Sequence, residues 1–121
     1  MIQKISLAEK LGRFHDLWSP KIVAQVNDTD VKLVKVQGEA FPWHTHEHED
    51  ELFLVLSGEL IIETRAGAIT LGPGELSVVP KGVEHRTLAR VETHLVLIER
   101  AGIRHTGDVE HELTVHEFER I

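Results

Sequence analysis

The chain has 121 residues, enough for one domain with a real core. Its formal net charge is −7, from 20 acidic and 13 basic residues, and no Lys/Arg cluster offers a phosphate-binding surface, which argues against a nucleic-acid partner. With no cysteine, disulfides and thiolate ligands are excluded, so any metal must be held by nitrogen and oxygen.

The N-terminal stretch MIQKISLAEKLGRF lacks the long apolar run of a signal peptide or membrane span, so the expectation is a cytoplasmic protein with no membrane partner. Ser6 and Glu9 have capping-box spacing, and Leu7, Ala8 and Leu11 follow at helical intervals; this predicts a short helix over 7–13. His15 to Pro20 reads as irregular, with Trp18 a packing anchor. KIVAQV (21–26) and VKLVKVQG (31–38) flank the turn cluster Asn27-Asp28-Thr29-Asp30 and predict a hairpin.

Short strands are then predicted over 41–46, 51–56, 60–64, 69–71, 75–79, 85–88 and 93–99, each bounded by Gly, Pro or polar residues. Such a series without helical crossovers implies an all-β sandwich or barrel. The tail from Ala101 is polar and weakly patterned; Thr106-Gly107-Asp108 is turn-like and 113–115 is a candidate edge strand. No Gly/Ser-rich linker divides the chain, so one domain over 1–121 is expected.

The segment GEAFPWHTHEHEDELFLVLSG (38–58) is the most chemically loaded part of the chain. Side chains at i and i+2 of a strand share a face, so His44 and His46 project together. Glu51 starts the next strand, and the loop Glu47–Asp50 folds it back beside them. His85 arrives from a distant strand after the turn Pro80-Lys81-Gly82. Three imidazoles and a carboxylate suit one divalent transition ion: Fe, Mn, Zn, Ni or Cu. Four ligands leave positions open on a five- or six-coordinate ion, and a site charge of about +1 favours an anionic or chelating small molecule.

His48 and the acidic run Glu47, Glu49, Asp50 read as a solvated loop whose charge raises the pKa of nearby histidines, with His48 as an alternative ligand in place of one of the four. His15, His94, His105, His111 and His116 read as surface or packing residues. Arg65 and Arg86 are candidates for a substrate carboxylate, with a surface role the simpler alternative. Trp43 and Phe53 are candidates for pocket walls, with core packing as theirs.

These residues resemble the cupin superfamily. Its first motif, G-x5-H-x-H-x3-4-E-x6-G, is met by Gly38, His44, His46, Glu51 and Gly58; its second, G-x5-P-x-G-x2-H-x3-N, by Gly74, Pro80, Gly82 and His85, with Ala89 in place of the final Asn. The resemblance spans 38–89. It implies a small antiparallel β-barrel (a jelly-roll-like double-stranded β-helix), often dimeric, with His44, His46, Glu51 and His85 as metal ligands inside. The implied function is that of a metalloenzyme of dioxygenase, isomerase or lyase type acting on a small oxygen-rich metabolite, Glu51 doubling as a candidate base if it leaves the ion. The alternative is a non-catalytic small-molecule binder or sensor. Residues 53–56 and 95–98 are apolar on both parities, so their strands need cover on both faces, and a homodimer is expected.

Overall fold

A computed structural model describes residues 2–39 and 41–121. The element order is α1 (Leu7–Leu11), β1 (Lys21–Val26), β2 (Thr29–Gly38), β3 (Glu51–Ser57), β4 (Leu60–Thr64), β5 (Gly67–Leu71), β6 (Leu76–Val79), β7 (His85–Arg100) and β8 (Glu119–Arg120). Among the described residues no helix is long and apolar enough to cross a membrane.

The all-β expectation holds. Hydrogen bonding runs β5-β4-β7-β2-β1-β8, and β3 joins β7 to β6. The barrel is therefore not closed by hydrogen bonds, since β5 and β6 each pair on one side only. The long β7 organises the whole: its first part pairs with β4, its second with β2 on one side and β3 on the other. The two short strands expected over 85–88 and 93–99 are thus the two ends of this one strand, each serving a different set of neighbours.

Parity sorts the side chains. Phe53 and Val55, Val34 and Val36, and Leu95 and Leu97 point into the barrel and form the main core with Leu60, Ile62 and Phe41. The opposite parity, Leu33, Val96, Leu54 and Leu56, packs under Leu7, Leu11 and Phe14 of the N-terminal segment. The outer cover that these strands need, from packing within the chain or from a subunit partner, is supplied in large part by the N-terminal segment. Ser6 caps α1 through the Glu9 N–H at 3.2 Å, and Lys35 Nζ donates to the Leu11 and Phe14 carbonyls at 2.7 and 2.6 Å, which fastens the helix end to β2.

Several boundaries differ from expectation. The helix stops at Leu11, because Gly12 already serves as its C-cap. The hairpin turn shrinks to Asn27-Asp28, with Asn27 at φ 54°, and Thr29 and Asp30 join β2; Asp30 is buried. Residues 41–46 form no ladder, and His44 alone makes a bridge, to His85. Residues 113–115 are not a strand; the edge is made instead by β8, parallel to β1.

Candidate metal centre

Four side chains meet inside the barrel. The ligand atoms of His44, His46, Glu51 and His85 lie within 4.8 Å of one another, and all four residues are buried. Backbone pairing explains the convergence. His44 N–H donates to the His85 carbonyl at 2.9 Å and His85 N–H to that of His44 at 3.0 Å, while Gly82 N–H donates to the His46 carbonyl at 2.8 Å. The two motif loops are thereby stitched together. Asp50 Oδ1 accepts from Lys81 N–H at 2.9 Å, so the exposed acidic loop also helps to set their spacing.

The ring orientations are fixed from behind. His44 Nδ1 lies 2.9 Å from the Pro42 carbonyl and His85 Nδ1 2.9 Å from that of Val83. A carbonyl only accepts, so each Nδ1 carries the hydrogen and each Nε2 keeps its lone pair. His44 Nε2 and His46 Nε2 are buried with no hydrogen-bond partner. Glu51 Oε1 faces His85 Nε2 at 3.2 Å and His46 Nε2 at 3.5 Å. Buried acceptors are ordinarily satisfied, and converging unsatisfied lone pairs with one carboxylate are what a cation requires. The residues present therefore fit an ion, and the cluster could hold one.

Without an ion, electrostatics keep the imidazoles neutral. Burial, then the neighbouring His85, pushes the His44 pKa down to about 3, and the same causes push His46 down to about 4. Burial also lowers His85. This reverses the expectation that the acidic loop raises these values. Glu47, His48 and Asp50 stand in solvent, and the only carboxylate among the main influences on His46 is Asp108, whose effect is smaller than desolvation. Burial pushes Glu51 up to about 7, against the opposing influence of Glu99 and Lys32.

Beside the ligands lies a cavity of about 20 Å³, lined mainly by apolar side chains such as Val34, Val36, Phe53 and Leu97, with Thr87 and His105 as polar members. That is roughly the room one or two water molecules need. Trp18 and Phe41 stack at 5.0 Å over it, and Phe41 contacts both His44 and His105 at 5.4 and 5.2 Å between ring centroids.

Phe53 thus lines the cavity, as one of its two readings had it. Trp43 does not; it lies under Arg65, whose guanidinium carbon is 3.8 Å from the ring centroid. Arg65 pairs with Glu84 and Arg86 with Glu63, so both arginines take the surface role and neither reaches the cavity. His48 is exposed, as expected.

The sequence reading missed two groups. The first is the tail. His105 is buried, its Nε2 is 3.2 Å from the Trp18 carbonyl, and it forms part of the cavity wall. Gly107 (φ 58°) packs so closely on Thr45 that a Cβ would meet the Thr45 carbonyl. Asp108 grips Thr45 twice, accepting from its N–H at 2.9 Å and donating N–H to its carbonyl at 3.1 Å. The tail thus clamps the residue between His44 and His46. Thr106-Gly107-Asp108 was visible as a turn, but nothing local told what it would turn against.

The second group is a buried ion pair. Lys32 Nζ donates to Glu99 Oε1 at 2.9 Å, both side chains are essentially inaccessible, and Phe118 covers the ammonium at 3.8 Å from its ring centroid. Glu99 stands next to Glu51 across the β3–β7 pairing, and its second oxygen, Oε2, is buried with no hydrogen-bond partner. The signal was the parity of two strands, where a Lys and a Glu fall on otherwise inward-facing apolar sets.

Comparison with known proteins is consistent with this architecture. The Cupin_2 family, described as a cupin domain, matches residues 32–99. YdbB, an uncharacterized protein of Bacillus subtilis (strain 168), is 38% identical over 96 residues, 78% of this chain and 81% of that protein. A cupin-2 domain containing protein from Shewanella frigidimarina NCIMB 400 superposes with TM-score 0.78 at 46% identity, over 79% of this chain and 93% of the other. Protein NMB1881 from Neisseria meningitidis gives TM-score 0.74 at 32% identity, over 82% and 100%. The chain belongs to the cupin-2 domain family.

Proposed function

We propose that the protein is a metal-dependent enzyme of dioxygenase, isomerase or lyase type, holding one divalent transition ion through His44, His46, Glu51 and His85. The observation that carries this reading is the convergence of buried, partnerless Nε2 lone pairs on one carboxylate at the wall of a cavity. Four protein ligands leave room on a five- or six-coordinate ion for an exogenous oxygen, and such an ion supplies Lewis acidity or a site for oxygen. The chain's own residues do the rest. The Pro42 and Val83 carbonyls hold two imidazoles in one tautomer, and the apolar wall excludes bulk water. In the ion-free site burial pushes Glu51 up to about 7, and Glu51 is the candidate base if it leaves the ion.

The wall also narrows the substrate. Among the described residues no free cation lines the cavity, so an oxygen-bearing end at the ion with a small apolar body against Val34, Phe53 and Leu97 fits better than a molecule polar all round. The second reading is a non-catalytic binder; in either role the cavity as it stands admits little beyond water, so a metabolite requires the stacked Trp18 and Phe41 to give way.

A homodimer is also proposed. Leu76 and Val78 on β6 and Ile69 on β5 are about half exposed, on two of the strands that pair on one side only. Light scattering tests this, with the monomer at 13.7 kDa as the contrary result.

The test of function is oxygen uptake and product analysis by the iron-, manganese- and zinc-loaded protein against phenols, diols and keto acids. Turnover of one class that His85→Ala abolishes supports the enzyme. Saturable binding of the same compounds without turnover favours the binder.

A further inference from the structure

The cavity beside the cluster is polar in two places. His44 and Glu51 belong to the cluster itself, and His105 reaches the wall from the tail. Phe41 touches both imidazoles, at 5.4 Å from His44 and 5.2 Å from His105 between ring centroids, so one aromatic ring spans from the first to the second.

His105 is held in a fixed state. Gly107 and Asp108, just beyond it, are seated on Thr45. Its Nε2 lies 3.2 Å from the Trp18 carbonyl. Trp18 is itself fastened: its backbone N–H donates to the Lys35 carbonyl at 2.8 Å and its indole N–H to the Gln37 carbonyl at 3.2 Å. It also keeps a left-handed φ of 61°, which bulky residues rarely adopt unless their surroundings impose it. A carbonyl only accepts, so Nε2 carries the ring hydrogen and Nδ1 is left an acceptor. Burial keeps the ring neutral, pushing its pKa down to about 4 against the influence of the Trp18 and Leu113 backbone.

That acceptor is bare. Nδ1 is buried with no hydrogen-bond partner. Two hydroxyls of the tail are engaged with each other, Thr106 Oγ1 with Thr114 Oγ1 at 2.6 Å, and the latter also accepts from the His111 N–H. Tying the tail to Trp18 uses only the Nε2 side of the ring, and a buried acceptor without a donor costs stability. His105 lies outside the group of ligand atoms that converge for an ion, so its lone pair calls for a hydrogen and not a metal.

We infer that His105 is a specificity-determining residue of the cavity: its Nδ1 accepts a hydrogen bond from a hydroxyl or N–H of the ligand whose oxygen end lies at the ion. The substrate class narrows to small molecules with a metal-binding oxygen, an apolar middle and a hydrogen donor beyond it. The proposal rests on the metal reading above.

Two measurements on the full-length protein test it. In the cobalt-loaded protein, the d–d absorption bands are titrated with 3-hydroxypropanoate, 4-hydroxybutanoate and 3-hydroxybenzoate, each against its parent acid without the hydroxyl. In the zinc-loaded protein, imidazole nitrogen NMR follows the two ring nitrogens of His105. At least one hydroxy acid is expected to bind about 3–10-fold more tightly than its parent, and to shift the Nδ1 resonance where the parent does not. A wall without an acceptor would favour the parent, because the hydroxyl would lose its water and gain nothing. His105→Phe should erase the preference while the parent acid still binds. His105→Asn, which returns an acceptor near the place of Nδ1, should restore part of it.

A hydrogen on Nδ1 in the ligand-free protein, no preference for any of the hydroxy acids, or a preference that survives in folded His105→Phe protein would each overturn the proposal. The first two are read on the wild type, so they hold whether or not the variants fold. A wild-type protein that takes up neither cobalt nor zinc would instead remove the metal reading itself, and this proposal with it.

Discussion

Two polar clusters share the interior of this barrel, and they are satisfied in opposite ways. The Lys32–Glu99 pair carries its own counter-charge, with the ammonium and a carboxylate oxygen at 2.9 Å and an aromatic ring over the cation. The cluster of His44, His46, Glu51 and His85 has acceptors and no donor. His44 and His46 Nε2 end in nothing, His85 Nε2 faces only the Glu51 carboxylate at 3.2 Å, and burial keeps the imidazoles neutral. Burial of a polar group without a partner costs on the order of 1–3 kcal/mol; the first cluster leaves only Glu99 Oε2 unpartnered and balances its charge, whereas the second leaves two imidazole nitrogens unpartnered beside a carboxylate, the arrangement a cation would complete. The difference teaches which buried polar groups serve the fold and which imply a ligand.

The largest effect should come from deleting a ligand. His46→Ala is expected to lower ion affinity by at least about 100-fold while the β fold persists, since cluster members are not core-forming hydrophobes. Metal content and circular dichroism on one sample check both halves.

Breaking the other cluster should do the reverse. Lys32→Met strands a buried carboxylate and should cost about 3–5 kcal/mol in urea unfolding, whereas Lys32→Met/Glu99→Leu should recover most of it. Equal stability of single and double variants would mean the pair is not a unit.

Gly107→Ala should be intermediate. The added Cβ meets the Thr45 carbonyl at a positive φ, so a loss of roughly 1–3 kcal/mol is expected, together with weaker ion binding as His44 and His46 shift.

Acidity should separate the clusters as well. In the ion-free protein His44 titrates at about 3 and His46 and His105 at about 4, all below the usual 6.5. The unfolded chain then binds more protons across this window, so their contribution is present above pH 6.5 and is lost as pH falls toward 4 and 3. Glu51, raised to about 7 from 4.5, works the other way: its contribution is present below 4.5 and is lost as pH rises through about 7. Thermal melts of chelator-treated protein should peak between these arms, near neutrality, and adding an ion should flatten the alkaline one. The smallest effect is expected from Arg65→Ala, which breaks an exposed pair with Glu84 and a surface stack on Trp43 and should leave metal content unchanged.

How much of this was legible depended on range. The strands were readable because alternation and Gly/Pro punctuation are local, and β1 was met to the residue. His44, His46, Glu51 and His85 were readable because they sit at fixed spacings in two motifs, and parity alone puts His44 and His46 on one face. Residues 41–46 misled, because a period-2 pattern also fits an irregular segment held by a single bridge to His85. The pKa direction misled because the loop's charges are near in sequence but lie in water. His105, Gly107 and Asp108 were illegible for a different reason. Their partners, Trp18 and Thr45, lie far away in the chain, and a polar tail with no periodicity carries no sign of what it covers. Lys32 and Glu99 left a trace, as charges on inward-facing parity, but only the register of β2 and β7 brings them together as a pair.

The most direct test of the central claim is elemental analysis of protein purified without a chelating tag, then stripped and reconstituted, alongside His85→Ala. The account predicts one divalent transition ion per chain in the wild type and almost none in the variant. No ion after reconstitution, or full occupancy in folded His85→Ala protein, would contradict it.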